Sequence, residues 1–390
     1  MAQKIGPPTP HLDFIQQLAH IRSQHRTPQA ILRPFLVHPI GLRPPLLNRF
    51  YRILFLALGA GVFAYVVWRI GPEHVLGHLT LIGWGVLPIL ATSAAWKSVN
   101  TAAWMLAFPP ESDRPGFWKL LAAWLAADVA NHVLPAANLG GEVARSYLLR
   151  SSIPVSRSLP TVVVDKTMEI LSGLLFTIIG VGIAVYSLPL ANSIRYGLLA
   201  SILVGTAAIL YGIRIQSRNP LSRLMELFIR LPIPTSFLES RRESAARMDT
   251  HLETFYSKHV GRFWIGFLLH FISWIVGAIE TYYIILYMDV EITFFSAFLL
   301  TSLTGIIKAA FFFVPAGIGA FEAGHAYLFY LLSFSPAIGL SVAVVKRLRR
   351  LFWMGTGVLL FYGQMLIGGA TPKAPHSPDP EAIDSAKGTP

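Results

Sequence analysis

The 390-residue chain contains no cysteine, which excludes disulfides, thiolate catalysis and cysteine-ligated metals. Charge is also scarce. Asp, Glu, Lys and Arg make up 13% of the residues, against 54% apolar types. That composition excludes a soluble globular domain, and several apolar runs are long enough to cross the ~30 Å hydrocarbon core of a bilayer. Acidic residues are the scarcer sign, 20 against 32 Lys and Arg, giving a formal net charge of +12. The bases gather between the apolar runs, a pattern of membrane orientation and not of nucleic-acid binding. No long apolar run precedes Ile53, so insertion through internal segments is expected instead of a cleavable signal peptide. A nucleotide fingerprint is missing too: Gly140, Gly141, Gly317 and Gly319 are too sparse, and no Gly-Lys-Ser/Thr follows. Glu322 and His325 have Glu-x-x-His spacing, but the second such motif of a carboxylate-bridged metal site is absent. Neither metal nor cofactor is expected.

What is present predicts three parts. Residues 1–52, rich in Pro and Arg, read as a cytosolic, partly disordered arm, residues 53–368 as the transmembrane domain, and residues 369–390 as a polar, disordered tail. Six full spans are expected: Ile53–Ile70, Leu81–Phe108, Leu159–Val185, Ile194–Ile213, Phe263–Met288 and Ile338–Leu366. Gly71 to His74 reads as a connection. Residues 214–262 hold nine Lys or Arg, the strongest inside signal, and should form a cytosolic loop, with both termini on the same side. Within that loop Leu221, Leu224, Met225 and Phe228 share one helical face, as in a short helix lying in the headgroup plane or an amphipathic loop helix packed on the protein.

Two further apolar segments, 117–150 and 297–330, are interrupted. In the first, HVLPAANLGGEVARSYLLR places Pro135, Gly140, Gly141, Glu142 and Arg145 inside an oily run; in the second, Pro315, Gly317, Gly319 and Glu322 do the same. Slid by 180 positions, Leu134–Glu142 lies over Val314–Glu322, and the register continues through Val162 on Val342, Val164 on Val344, Lys166 on Lys346 and Leu171 on Leu351. Such a register indicates a duplicated unit, with repeats of about 117–186 and 297–366. Counting crossings from a cytosolic arm, the first interrupted segment enters from the inside and the second from the outside. The expected fold is therefore an all-α polytopic membrane protein of six full spans plus two re-entrant helical hairpins related by an inverted repeat.

Charges recur where lipid is expected. Ser335-Pro336 is a good helix start, and Lys346 lies ten residues further on, about 15 Å along the axis and so near mid-membrane. Lys346, Arg347, Arg349 and Arg350 fall on one side of that helix, within about 160°. Asp165, Lys166 and Glu169 occupy the equivalent depth in the first repeat. Asp165 and Glu169 are expected to pair with the Lys346–Arg350 face, and the positive surplus to line a cavity that holds a headgroup. Asp128 and Lys308, which coincide under the 180 offset, either line the same cavity or pair locally. Asn131, His132 and Asn138 offer uncharged hydrogen bonds. His270 and Glu280 stand alone in their span, where hydrogen bonding within the core is expected.

LPAANLGGEVARSYLL, VVVDKTME, VPAGIGAFEAG and VVKRLRR resemble, in order and spacing, the motifs of the lysylphosphatidylglycerol synthase transmembrane, or flippase-like, family, with the closest likeness to the hopanoid-associated HpnL type. The resemblance spans roughly Ile53 to Leu366. It implies a multi-pass protein of the bacterial inner membrane that moves lipid, a hopanoid in that branch, between leaflets. The second motif departs by reading Pro-Ala-Gly-Ile-Gly, and the arm has no counterpart. The large catalytic domain of lipid-aminoacylating relatives has no room here, so no enzyme is expected. The alternatives are an intramembrane transferase with Glu142 or Glu322 as general base, or a scaffold of a lipid-synthesis complex. Expected partners are a membrane lipid and the bilayer, with a second copy or lipid-synthesis enzymes as further candidates.

Overall fold

The chain divides after Ile53 into two units. Its computed structural model describes residues 72–110, 114–133, 140–216, 235–311 and 317–367, together with positions 64, 65, 68 and 314. The expected arm, most of the expected span Ile53–Ile70, the amphipathic stretch at 221–230 and the tail lie outside the described residues.

The described residues form eleven helices and no strand. In chain order these are α1 (Pro72–Ile82), α2 (Val86–Leu106), α3 (Phe117–Val133), α4 (Gly140–Leu148), α5 (Val155–Ser187), α6 (Asn192–Gln216), α7 (Thr235–Lys258), α8 (Val260–Leu286), α9 (Phe294–Ala310), α10 (Ala320–Leu331) and α11 (Pro336–Ile367). Four helical stretches are long and apolar enough to cross a membrane: Pro72–Leu106, Val155–Ser187, Asn192–Tyr211 and Val260–Leu286. α11, with 32 residues, has the length, but its apolar run is broken by Lys346, Arg347, Arg349 and Arg350. Apolar side chains face outward, Leu203 being 72% and Leu359 73% exposed, while Asp165, His270 and Glu322 are buried. This is the arrangement of a protein dissolved in lipid.

Local sequence explains the boundaries. Pro72 opens α1, with Glu73 in its first turn. Both favour a helix start, because proline gives up an N–H that has no partner there and the carboxylate faces the positive helix end. The expected connection at Gly71–His74 is thus replaced from Pro72 onward by helix, which runs through a 3₁₀ turn, Gly83–Gly85, into α2. Ser335 accepts the Ala337 N–H at 3.3 Å ahead of α11, as its place before Pro336 predicts. The expected loop at 214–262 contains α7, whose Ala245, Asp249, Leu252 and Phe255 are buried on a helix packed against α5. Its charge hid an i, i+4, i+7 inner face.

The helices repeat as the sequence does. α2 and α8 end 180 positions apart, as do α5 and α11, and α4 and α10 start 180 apart, while α3 and α9 start 177 apart. α3 packs on α11 and α9 packs on α5, so each half reaches across to the other, and α2 packs along α8 between them. α2 and α8 run antiparallel. At one end Arg262, near the start of α8, donates to Leu106 O at 3.0 Å and to Met105 O at 3.3 Å, covering the last carbonyls of α2; at the other, Gly85 lies against the Tyr287 ring.

The two crossings between halves are close, and one glycine opens each. A Cβ on Gly305 of α9 would meet Thr177 Oγ1 of α5 at 2.8 Å. At the equivalent crossing, a Cβ on Gly357 of α11 would meet the α3 backbone at Leu125 C, 2.5 Å, and Ala126 N, 2.7 Å. Residues 125 and 305 correspond under the 180 offset, as do 177 and 357, so the glycine has changed helix between the halves. Small residues allow such approach where helices associate in lipid. Gly357→Ala pushes against backbone and is expected to destabilise the protein by about 1–3 kcal/mol, whereas Gly305→Ala meets a hydroxyl that can rotate and should cost less. Thermal unfolding of the two variants in detergent, followed by size-exclusion monodispersity, checks the order.

Candidate functional site

Two clusters of buried charge occupy the core of the helical domain, one for each half. The first is built by α4 and α5 with help from α2 and α8. α4 starts at Gly140; beside it Asn131, near the end of α3, accepts the Gly141 N–H at 2.6 Å. A Cβ at Gly141 would run into that amide. Asn131 is therefore a brace between α3 and α4. α4 packs on α5, which brings Glu142 and Arg145 to that helix. Arg145 donates to Asp165 Oδ2 at 2.9 Å, and its guanidinium also lies over the Trp104 and Trp124 rings, at 5.4 and 5.2 Å. Lys166 bridges Glu142 at 3.2 Å and Glu169 at 3.0 Å. Glu142 lies 3.4 Å from Arg145 as well, yet neither of its oxygens has a hydrogen bond of good geometry among the described residues. It retains acceptor capacity.

Asp165 has a second partner, His270 Nε2 at 3.0 Å. The other ring nitrogen, Nδ1, faces Asn100 Oδ1 at 2.7 Å. Asn100 is oriented by donating from Nδ2 to Trp96 O at 2.7 Å, and Ser273 also donates to its Oδ1. Nδ1 must therefore carry a hydrogen, and the Nε2–Asp165 contact needs another on one of its two atoms. With that proton counted, Arg145 and Lys166 balance Glu142, Asp165 and Glu169. The first cluster is neutral.

The second cluster is not. After the break, Gly317 and Gly319 take left-handed φ of +60° and +80°, which side-chain-bearing residues rarely adopt. Glu322 then folds back to accept the Gly319 N–H at 2.8 Å and takes Arg347 on its other oxygen. Arg349 pairs with Glu280 of α8. Lys346, Lys308, Arg349 and Arg350 lie within electrostatic range of one another, and Asp128 of α3 lies near Arg350 and Lys97. Lys97 of α2 is 6% exposed and sits among Trp96, Trp124 and Trp353 at 5.3, 5.0 and 5.8 Å, a cation held by ring faces. Lys308 is exposed, although charges from α5, α8 and α11 surround it and Trp274 and Phe321 flank it at 5.9 and 6.0 Å. Glu169, also within range of Lys308, joins the two clusters there.

The expected pairing of Asp165 and Glu169 with the Lys346–Arg350 face is replaced by partners nearer in each half: Arg145 and His270 for Asp165, Lys166 for Glu169, and Glu322 and Glu280 for the arginines. Pro135, Pro315 and Asn138 lie outside the described residues, as does the His132 side chain. His270, Glu280, Asn100 and Lys97 belong to the clusters, although the first two read as isolated and the others went unread. A signal was available in Lys97, Asn100 and Thr101, whose i, i+3, i+4 spacing makes one polar face on an apolar helix. No group of three or more His, Asp or Glu among the described residues could hold a metal ion.

Comparison with known proteins places this geometry in a family. The description lysylphosphatidylglycerol synthase TM region matches residues 52–358, which takes in both clusters. The chain belongs to this family. A UPF0104 membrane protein of Pyrococcus horikoshii is 23% identical over 335 residues, covering 81% of this chain and 98% of that one. A second UPF0104 membrane protein, from Methanothermobacter thermautotrophicus, is 27% identical over 154 residues, 37% of this chain and 44% of that one. No solved structure matches. Family and apolar helices together make the chain a multi-pass helical membrane protein.

The Arg145–Asp165 pair, with side chains 6% and 3% exposed, supplies a direct test of the first cluster. Arg145→Leu strands a buried carboxylate and is expected to cost about 3–5 kcal/mol; the Arg145→Leu, Asp165→Asn double variant should recover part of that loss. Unfolding in detergent across the double-mutant cycle measures the coupling.

Proposed function

We propose that the chain is a lipid transporter that moves a polar-headed lipid between leaflets, the headgroup passing through the charged centre while the apolar part stays in the bilayer. The observation that carries this reading is the meeting of the two clusters at accessible side chains, Lys166 and Glu169 from one half and Lys308 and Lys346 from the other, inside a family of membrane proteins named for a lipid synthase. A headgroup leaving water needs replacement partners, since an unsatisfied polar group in hydrocarbon costs several kcal/mol.

In this reading the chain has six full spans, and the α3–α4 and α9–α10 pairs are re-entrant hairpins of an inverted repeat. Antiparallel α2 and α8, which are repeat equivalents, support it. So does the length of α3 and α9, 17 residues each, about 25 Å and short of the ~30 Å core. Non-helical backbone at such breaks is tolerated where protein or a wet cavity satisfies it, as in transporters with broken helices. The motif likeness supports a protein nearest the HpnL type, with a hopanoid as cargo, in the bacterial inner membrane, and the Lys and Arg bias supports cytosolic termini. Against a transferase, Glu322 is already occupied by Arg347 and the Gly319 N–H, and Glu142 lies against Lys166 and Arg145.

The full chain in vesicles, with a fluorescent lipid probe and a reductant that bleaches only the outer leaflet, tests transport. The probe should equilibrate across leaflets without a change in mass, and Glu142→Gln should slow it at least about tenfold, because the acceptor facing Lys166 loses its charge. A change in the probe's mass would indicate a transferase, and no movement a scaffold. Topology is checked separately: a cysteine replacing Ser240, in a chain with none of its own, should resist labelling from outside intact cells.

A further inference from the structure

The first cluster is short of a positive charge. Arg145 and Lys166 face three carboxylates there, Glu142, Asp165 and Glu169. The missing place is filled by His270 of α8, whose side chain is 1% exposed and whose Nε2 lies 3.0 Å from Asp165 Oδ1. A lysine or arginine at that place would close the balance permanently. Histidine closes it only while an extra proton is present, and its charge is the one that ordinarily changes near neutral pH.

The surroundings of the ring exclude a neutral alternative. Asn100 Nδ2 donates to Trp96 O at 2.7 Å, which turns Asn100 Oδ1 to His270 Nδ1, also at 2.7 Å. Nδ1 is thus held as a donor. A neutral ring then presents a bare lone pair on Nε2 to a carboxylate oxygen, and two buried acceptors at 3.0 Å repel. A proton between Nε2 and Oδ1 removes the conflict, whichever atom holds it. The helices packed on α8 are α2, α5, α7, α9 and α11, and their other charged or titratable groups along this stretch are engaged. Lys97 of α2 sits among its tryptophans. On α5, Glu169 is bound to Lys166, and Arg145 of α4 takes the second oxygen of Asp165. α11 brings Arg349 to Glu280, ten residues along α8, α9 brings Lys308 to within 5.9 Å of the Trp274 ring, and α7 sets Tyr256 on Phe263 near the start of α8.

The same proton decides whether the halves are joined at this point. Asn100 and Asp165 belong to the first half, and His270 opens the second. The 180 offset gives the site no copy, since Leu90, Glu280 and Val345 stand where His270, Asn100 and Asp165 would be repeated. With the proton, the ring ties α8 to α2 and α5. Without it, Nε2 and Oδ1 push apart, and two cations are left against three carboxylates. Glu169 lies one turn from Asp165 on the same face of α5, with its side chain 27% exposed against 3% for Asp165, so a proton leaving the pair has an acidic neighbour that is not sealed. Inverted-repeat transporters work by rocking one repeat against the other, and a tie between repeats that holds only when loaded biases that motion. We infer that the His270–Asp165 pair is a proton-binding site that couples lipid movement to proton movement. Loaded, the proton lies between Nε2 and Oδ1 and the halves are tied; unloaded, it has passed to water, leaving a carboxylate and a neutral ring protonated on Nδ1. Coupling rests on the transport reading, whereas the proton site does not.

Two measurements separate site from coupling. The full chain in phosphatidylcholine nanodiscs, with isotope-labelled histidine rings and aspartate carboxyls, is read by solid-state NMR at about pH 5 and about pH 9, His270 being identified by the signal lost in His270→Gln. Nδ1 should keep its hydrogen throughout, and the further proton, on Nε2 or on Asp165, should be present at the lower pH and absent at the higher. A bare Nδ1 with a hydrogen on Nε2 overturns the site, and so does a further proton that never leaves or never binds. In vesicles with the membrane potential clamped, a gradient of about one pH unit should drive the fluorescent lipid probe to a leaflet ratio of about tenfold, the ratio supported by one proton per lipid. Either direction of bias upholds coupling and tells symport from antiport. In His270→Gln and in Asp165→Asn the ratio should fall to about one; a bias kept in either variant overturns the assignment to this pair. Probe that crosses in the unsubstituted protein but ends evenly distributed overturns coupling, even if neither variant folds. A proton that binds and leaves as expected in a protein that moves no probe upholds the site and removes the transport reading.

Discussion

A charge at the centre of a membrane helix costs about 2.5–3.5 kcal/mol on insertion scales, and this chain carries at least eight of them on α5, α8, α9 and α11. Much of the rest of the fold answers that cost. The breaks before α4 and α10 let a carboxylate return toward the long helices from a short one: Glu142 reaches Lys166 and Glu322 reaches Arg347. α2 and α8 pack together down the centre and supply Asn100, His270 and Glu280 from facing surfaces. Close crossings at Gly305 and Gly357 hold the halves at a distance where these contacts can form. Interior polarity and exterior apolarity are thus two faces of one requirement, that charge meets protein and alkyl chains meet lipid.

Much of this was legible in the residues. Long apolar runs marked α2, α5, α6 and α8 because lipid selects for length and hydrophobicity in a single segment, and the 180-residue offset carried through from sequence to helix boundaries. What the sequence concealed was pairing. Asp165 and the Lys346–Arg350 face are opposite charges at equal depth, and depth alone matched them; the structure instead gives Asp165 to Arg145, twenty residues away, and to His270 on another helix. Depth is one coordinate, and azimuth around each helix decides contact. Glu280 looked isolated for the same reason, since its partner Arg349 is 69 positions away and no local spacing records that. α7 was obscured in another manner. Its abundant charge dominated the reading of residues 214–262, although a charged helix with one apolar edge packs as readily as an apolar one.

The halves also show how a duplicated unit can divide labour without changing its backbone plan. Positions 142 and 322 remain glutamate, and 166 and 346 remain lysine, so both copies keep an acid at the short helix and a base at the long one. Position 169 is glutamate in one and its equivalent, 349, is arginine in the other. That reversal, Lys308 opposite Asp128, Val345 opposite Asp165, and Arg347 and Arg350 opposite Thr167 and Ile170 together move the positive surplus to the second half. Trp124 touches both clusters, with Arg145 over its ring in one and Lys97 in the other.

The exchanged glycines have a consequence for how such a chain assembles. Each crossing requires one small residue and is indifferent to which helix bears it. Were two copies of the first half to associate, Leu125 would oppose Thr177 and the helices could not close. Two copies of the second would oppose Gly305 to Gly357 and leave a gap. Only unlike halves fit, so the chain is built to prefer its own other half over a neighbour's equivalent one, and a fusion of identical repeats would lose that discrimination.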